Sequence, residues 1–309
     1  MRIRAAIASA LGVALLSAFS ARPASAGGAW VPDPGDGDVE LGFSRKTASS
    51  SWNTSGHPYT NTTTVNGKQT ISYHDFRYSY LSGEVGIVRN LSFNWVFTYL
   101  YGLEGAHGNE EKNAGFSDTW LGLKYQLHRG TIPMALGFIY RTPILYDLPG
   151  AYSRYLYDSH GNIRANSPEW RGLLKHDYTL TYLASRSLAD GRGWVNLAAG
   201  YTWREGAPSD QIPAWLEAAY PIFGPVDLKG TAYFQGSVGN DTPAQPDDRF
   251  GASARNNFND ASFLRLGIAA FVNFDAKRRW FGEVGYNQWV WGVSARRYRE
   301  PYLSVGHNF

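Results

Sequence analysis

The chain has 309 residues, with 29 Lys and Arg, 26 Asp and Glu, a formal net charge of +3 and no cysteine. Disulfides and thiolate metal sites are excluded. Because Arg2, Arg4 and Arg22 fall in a leader-like stretch, the charge of the remainder balances and does not argue for nucleic acid as a partner.

Residues 1–26 read as a signal peptide. Arg2 and Arg4 form a positive start, Ala5 to Phe19 is apolar, and Ala24 and Ala26 frame a small-residue cleavage site. The apolar run is short of the ~20 residues a spanning helix needs, so Sec-type export is expected. Residues 27–38, GGAWVPDPGDGD, are rich in Gly, Pro and Asp and read as a periplasmic lead-in that tucks into the interior of the domain after it. Residues 39–309 form one domain. The mean hydropathy of the whole chain is slightly negative, and the domain has no run of 18 apolar residues, which excludes a helical membrane protein. With 11 Trp, 20 Tyr and 16 Phe, a soluble β protein and a membrane β-barrel both remain.

Leu91 to Leu100, LSFNWVFTYL, separates these two. Leu91, Phe93, Trp95, Phe97 and Tyr99 fall on one strand face, and Ser92, Asn94, Val96 and Thr98 on the other. This is period-two alternation with an apolar, aromatic face and a small polar one. The pattern returns in TWLGLKYQL, GWVNLAAGYTWR, VDLKGTAYFQ and FLRLGIAAFVNF. Runs of about ten residues match a tilted strand crossing a bilayer. In chain order the strands are expected at 38–47, 71–87, 91–100, 116–127, 132–142, 173–186, 194–204, 212–221, 226–236, 262–274, 280–291 and 298–309. Their joints alternate. Val88–Asn90, His128–Thr131, Ala189–Gly193, Phe223–Pro225 and Asp275–Arg279 are short; Ser49–Lys68, Gly102–Ala114, Pro143–Glu169 and Gly239–Asp260 are long, polar loops. Short turns on one side and long loops on the other are the asymmetry of an outer-membrane barrel. A soluble sandwich would show loops of similar length at both ends. The expected fold is an all-β, antiparallel, up-and-down transmembrane barrel of about 12 strands in the outer membrane of a Gram-negative bacterium. Aromatics near strand ends form two interfacial belts, with Tyr99, Tyr101, Tyr140, Tyr201 and Trp203 toward the long loops. Tyr125, Trp194, Tyr220 and Trp280 lie toward the short turns.

The chain closes with YLSVGHNF. Leu303, Val305 and Phe309 share one face, opposite Ser304, Gly306 and Asn308. An outward aromatic ending is expected to act as the signal read by the barrel assembly machinery. The last strand is expected to pair with the first near Val39–Phe43, so that no edge meets lipid. His307 departs from an apolar pattern and reads as interfacial.

Several stretches resemble a known family. GGAWVPDPGDGDVELGFS, YSYLSGEVGIVRNLSFNWVFTYLYG and GFSDTWLGLKYQL, the last with its Gly-x-x-Asp-x-x-x-Gly-x-Lys-Tyr rhythm, are similar to the family named MetA-pathway of phenol degradation, a group of outer-membrane transporters. The resemblance implies passage of small hydrophobic or aromatic compounds.

Catalytic constellations are sparse. No histidine has a serine two residues on, so the His-x-Ser pair of an outer-membrane phospholipase is absent. Asp158 and His160 in the longest loop, with Asp247 and Asp248 in another, have the residue types of a rim protease. Loops of this composition are more often simply solvated. His74 and His176 fall within strands, His176 on the apolar face. No metal spacing is evident, and neither an enzyme nor a cofactor is expected. The candidate lumen-lining residues are Glu84, Asn94, Asp118, Lys124, Arg141, Asp177, Arg204, Glu217, Lys229, Arg265 and Glu283, each opposite an apolar face. Either they pair across the interior, or Arg141, Arg204, Lys229 and Arg265 form a basic ladder that sets selectivity. The expectation is a passive channel or transporter for a small-molecule solute, held in outer-membrane lipid. The alternatives are a structural or secretion-accessory barrel, as in polysaccharide export, and a rim-site hydrolase.

Overall fold

The computed structural model describes residues 28–53, 55–106, 109–145, 176–188, 191, 193–205, 209–238, 261–275 and 277–309. Residues 1–26, expected as a signal peptide, and the loop residues Asp158, His160, Asp247 and Asp248 lie outside the described residues.

Twelve long strands make the barrel: β1 Gly37–Ala48, β2 Tyr73–Val88, β3 Leu91–Ala106, β4 Thr119–His128, β5 Met134–Thr142, β6 Asp177–Leu188, β7 Gly193–Arg204, β8 Asp210–Phe223, β9 Val226–Val238, β10 Ser262–Asn273, β11 Trp280–Val293 and β12 Arg299–Asn308. Each pairs antiparallel with its chain neighbours, and β12 pairs with β1, which closes the ring. In that closing pair Val39 faces His307, Leu41 faces Val305 and Phe43 faces Leu303. Phe309 and Gly37 exchange both backbone hydrogen bonds, at 2.9 and 3.0 Å.

The alternation in the sequence is the inside–outside code of this ring. Leu41, Phe43, Leu81, Tyr99, Leu123, Tyr125, Leu136, Phe138, Leu180, Leu216, Leu228, Leu266, Val284, Leu303, Val305 and Phe309 are exposed on the outer wall. The residues between them along each strand turn inward, where most are buried or half-buried. A soluble protein rarely exposes so continuous an apolar surface; against lipid it is the expected one. The described residues contain no helix long and apolar enough to cross a membrane; the barrel crosses with strands.

At one end the joints are tight. Arg89–Asn90 and Gly224–Pro225 are two-residue turns, with Asn90 and Gly224 in the left-handed region. Gly37 and Phe309 lie at this same end. At the other end the strands run on. β2 and β3 are 16 residues long, beyond the ~9–11 that span a bilayer. The stretches expected as loops at Ser49–Lys68 and Gly102–Ala114 are in large part strand. Ser50–Trp52 pairs with Pro58–Thr60 and with Ala295–Arg296, Thr62–Val65 pairs with Lys68–Ile71, and Asn109–Phe116 continues along upper β3. Beyond the membrane neither strand face has to meet lipid, so period-two alternation fades while the backbone still pairs.

One expected belt residue is not on the belt. Trp194 is buried inside the barrel, packs edge-on against Phe271 and donates its Nε1–H to Glu217 at 2.8 Å. Its neighbour Val195 takes the outward position, and parity fixes Trp194 inward. A second apolar group, Trp52, Trp289 and Ala295 with Phe263 and Tyr298, packs across the long-loop end.

Candidate functional site

The interior of the barrel is the candidate site, and its lower part is shaped by the lead-in. Gly35 donates to the Gly86 carbonyl and Gly86 donates to that of Asp36, both at 2.9 Å. Arg129 ties Asp33 at 3.2 Å. A Cβ on Gly86 would stand 2.2 Å from the Asp33 carbonyl, so only glycine allows this approach. The chain then turns into the lumen. The Ala29 amide donates to Ser185 Oγ at 2.7 Å, and the Gly28 carbonyl accepts from Lys124 Nζ at 2.9 Å. Ala29 is wholly buried among Ala135, Leu183 and Ala198, with Trp215 beside them. Gly28 has a φ of 78°, and a Cβ there would meet Asn196 at 2.3 Å. Small residues on both sides make room for the inserted segment.

Charges in the interior come in partnered sets. On the short-turn side, Lys124 binds Glu84 at 2.8 Å, and Glu84 also accepts from Ser92. Lys229 lies between Glu217, at 3.4 Å, and Glu283. Asn196 donates to Glu217 at 3.1 Å and Tyr80 to Glu40 at 2.8 Å. Tyr302 donates to Glu283. Toward the long-loop side, Arg141 joins Asp118 at 2.7 Å and Asp177 at 3.6 Å, and Arg204 reaches Asp177 at 3.6 Å. Glu300 gathers Lys46 at 3.6 Å, Arg265 at 3.7 Å and Asn287 at 3.0 Å. Above these, Glu104 faces His74 and Arg296, both at 3.1 Å. Burial pushes the phenol of Tyr298, in the segment joining β11 to β12, above its usual range.

All four members of the basic ladder, Arg141, Arg204, Lys229 and Arg265, therefore have carboxylate partners. A unit pair at 4 Å is worth about 4 kcal/mol at an effective dielectric near 20. Desolvation costs several kcal/mol per ion. The pairs hold one another in place more than they add net stability, and the loss of one partner strands the other.

Asn94 lines a cavity of about 540 Å³ that opens near the short turns. Asp38, Glu40, Glu84, Glu217, Asp227 and Glu283 line it too, against Lys229 from within and Lys277 and Arg278 at its mouth. Upward of it, aromatic faces meet cations. Arg265 lies over the Tyr233 ring at 5.1 Å and the Trp289 ring at 5.4 Å, and Lys46 over Tyr78 at 4.6 Å. His176, on the outer wall, stacks on Tyr140 and shares a 2.7 Å hydrogen bond with its hydroxyl. Among the described residues no group of three or more His, Asp or Glu is placed to hold a metal ion.

Sequence reasoning missed Ser185, Glu300 and Glu104 as parts of the interior. Parity would have turned Ser185 inward, since it is the cross-strand partner of Asn196, which stands opposite the apolar face of GWVNLAAGYTWR. Nothing in the local pattern says that Gly28 and Ala29 come to meet them.

No protein-family model matches the chain, and no curated protein does. Among solved structures, an outer membrane channel from Pseudomonas putida F1 superposes with a TM-score of 0.61 over 92% of this chain and 99% of its own, at 13% identity. The two share a fold. The translocator domain of the autotransporter NalP from Neisseria meningitidis superposes at 0.45, with 11% identity, over 100% of this chain and 95% of its own. The monoaromatic hydrocarbon channel CymD does so at 0.44, with 8% identity, over 90% and 89%.

Proposed function

We propose that this chain is an outer-membrane channel that lets a small solute diffuse passively through the barrel, with the lead-in as its constriction. The carrying observation is the inserted Gly28–Ala29 segment. It is held by hydrogen bonds to Ser185 and Lys124 in a lumen otherwise lined by partnered charges. A segment fixed by a few bonds in a polar bore is a movable obstruction, and water and solute can replace those bonds. The fold shared with a channel supports this reading. The family resemblance of the lead-in and of β2–β4 adds small hydrophobic or aromatic compounds as the solute class. Tyr78, Tyr233 and Trp289 offer ring faces along the way. The candidate lumen residues would tune passage. Leu303, Val305 and Phe309 on the outer wall would serve the assembly machinery.

The test is conductance of the refolded protein in planar bilayers, after heat-modifiable gel mobility has shown that the barrel formed. The full chain is expected to conduct in small steady steps. A variant lacking residues 28–33 is expected to conduct several-fold more. A folded barrel silent in both forms would sink the channel reading and favour the structural or secretion-accessory one.

A further inference from the structure

The outer wall carries one feature that solute passage does not use. Above the apolar surface of β2, β1 and β12, at the long-loop end, four guanidinium groups face outward: Arg45, Arg77, Arg297 and Arg299, all exposed. They share a strip of wall. Arg45 is the direct cross-strand partner of Arg77, and Thr47 is that of both Asp75 and Arg299. Phe43 and Leu303, two and four positions nearer the short turns, are exposed at 44% and 54%. The basic strip thus begins where the apolar band ends. At about 3.3 Å per residue, Arg45 lies roughly 7 Å along the strand from Phe43.

Like charges directly opposite one another destabilise a strand pair. Here Asp75 answers part of that repulsion. It takes both Nε and Nη2 of Arg45 at 2.8 Å and reaches Arg77 at 3.4 Å. Arg77 also lies 5.6 Å from the Tyr101 ring. Among the described residues no carboxylate lies within ion-pair distance of Arg297 or Arg299, and Arg297 rests over the Trp52 ring at 5.3 Å. Four cations therefore face one anion. A pocket of about 240 Å³ on this strip is lined by Arg45, Thr47, Ser50, Arg297 and Arg299; Asp75, held by Arg45, is also on its wall, and Arg77 lies outside it. Arginine forks and serine hydroxyls are donors suited to phosphate oxygens.

We propose that this outward pocket binds a phosphate of a phosphorylated glycolipid headgroup, of the lipid A type, in the outer leaflet. The charge complements such a headgroup, and the place, at the upper edge of the lipid-facing wall, is where its phosphates stand. The inference rests on the membrane placement of the barrel in the proposed function, but not on conduction.

The full-length mature protein, refolded in detergent, would be titrated with diphosphoryl lipid A, with the same glycolipid stripped of phosphate, and with inorganic phosphate alone. Wild type is expected to retain diphosphoryl lipid A at least tenfold more tightly than the stripped lipid. The double variant Arg297→Gln/Arg299→Gln is expected to lose that preference while keeping wild-type heat-modifiable mobility and conductance. Arg299→Lys, which keeps the charge but not the fork, is expected to fall between. Equal retention of both lipids, an unaltered preference in the double variant, or inorganic phosphate binding as tightly as the lipid would each overturn the proposal. Silent bilayers with the lipid preference intact would count against the channel reading alone.

Discussion

Replacing Lys124 with methionine removes the cation that binds both Glu84 and the Gly28 carbonyl. Glu84 would be left half-buried without its cation, keeping only the Ser92 hydrogen bond, a change that costs less than the ~3–5 kcal/mol of breaking a fully buried pair. We expect a lower unfolding midpoint and, in the same variant, a lead-in cut faster by protease. Glu84→Gln with Lys124→Met should recover much of the stability but not the lead-in protection, because the Gly28 contact stays lost. Stability recovered together with full protection would refute the assigned role of Lys124. Gly86→Val acts on the same segment by another route. Its side chain would collide with the Asp33 and Pro32 carbonyls, so the lead-in should be released while Glu84 and Lys124 remain paired. At this scale alternation assigns a side chain to a face and no more. Glu217, Lys229 and Glu283 lie on three different strands, and their meeting depends on register around the ring. That information is not local to any of them.

The turn between β10 and β11 is held by Asp275. Its carboxylate accepts from the backbone amides of Arg279, at 2.7 Å, and Trp280, at 3.0 Å, with the Arg279 side chain 3.5 Å away. The Trp280 hydrogen bond, followed by those of Arg279, holds its carboxyl below the usual range. A depressed folded value means the turn is fully supported above the unfolded carboxyl value of about 3.9. That support is lost only as pH falls through the lower folded value. Hydrogen exchange at Arg279 and Trp280 should therefore, after correction for intrinsic rates, hold constant from pH 7 down to about 4 and rise below it. Protection that fades between pH 7 and 5 would contradict this. Strands inside the membrane were legible as elements because one face must meet lipid and the other must not. The upper part of β3, and the strand Asn109–Phe116, carry no such demand. Their polar, Gly- and Asn-rich sequence reads as loop although the backbone is paired.

For the whole molecule, the cavity near the short turns has six carboxylates on its wall against few cations. A cleft with an excess of one sign of charge, here six carboxylates over Lys229, Lys277 and Arg278, concentrates counter-ions. In a salt gradient, the reversal potential of the proposed channel should show preference for cations. Glu217→Gln should weaken that preference. Arg204→Ala and Arg265→Ala, which each remove one of the cations facing Asp177 and Glu300 in the upper lumen, should strengthen it. A preference for anions, or no response to any of the three, would show that another part of the path sets selectivity. The barrel class was readable from strand length and joint length together. The lead-in was readable as a Gly- and Pro-rich segment entering the interior; its partners there were not, since they lie far along the chain.

Closure of the ring joins Asp38–Ser44 to Tyr302–Asn308, and this ladder breaks opposite Pro301 before resuming at Thr47 and Arg299. Proline cannot donate a ladder hydrogen bond. Every other seam in the wall is a hairpin or a near neighbour, zipped locally. This one brings together segments almost a full chain length apart, and contacts of that kind form slowly. Until it forms, β1 and β12 are bare edges able to pair with other chains. The time spent with that seam open, rather than the strength of any single strand pair, should set how much of the protein is lost to aggregation on its way to the membrane.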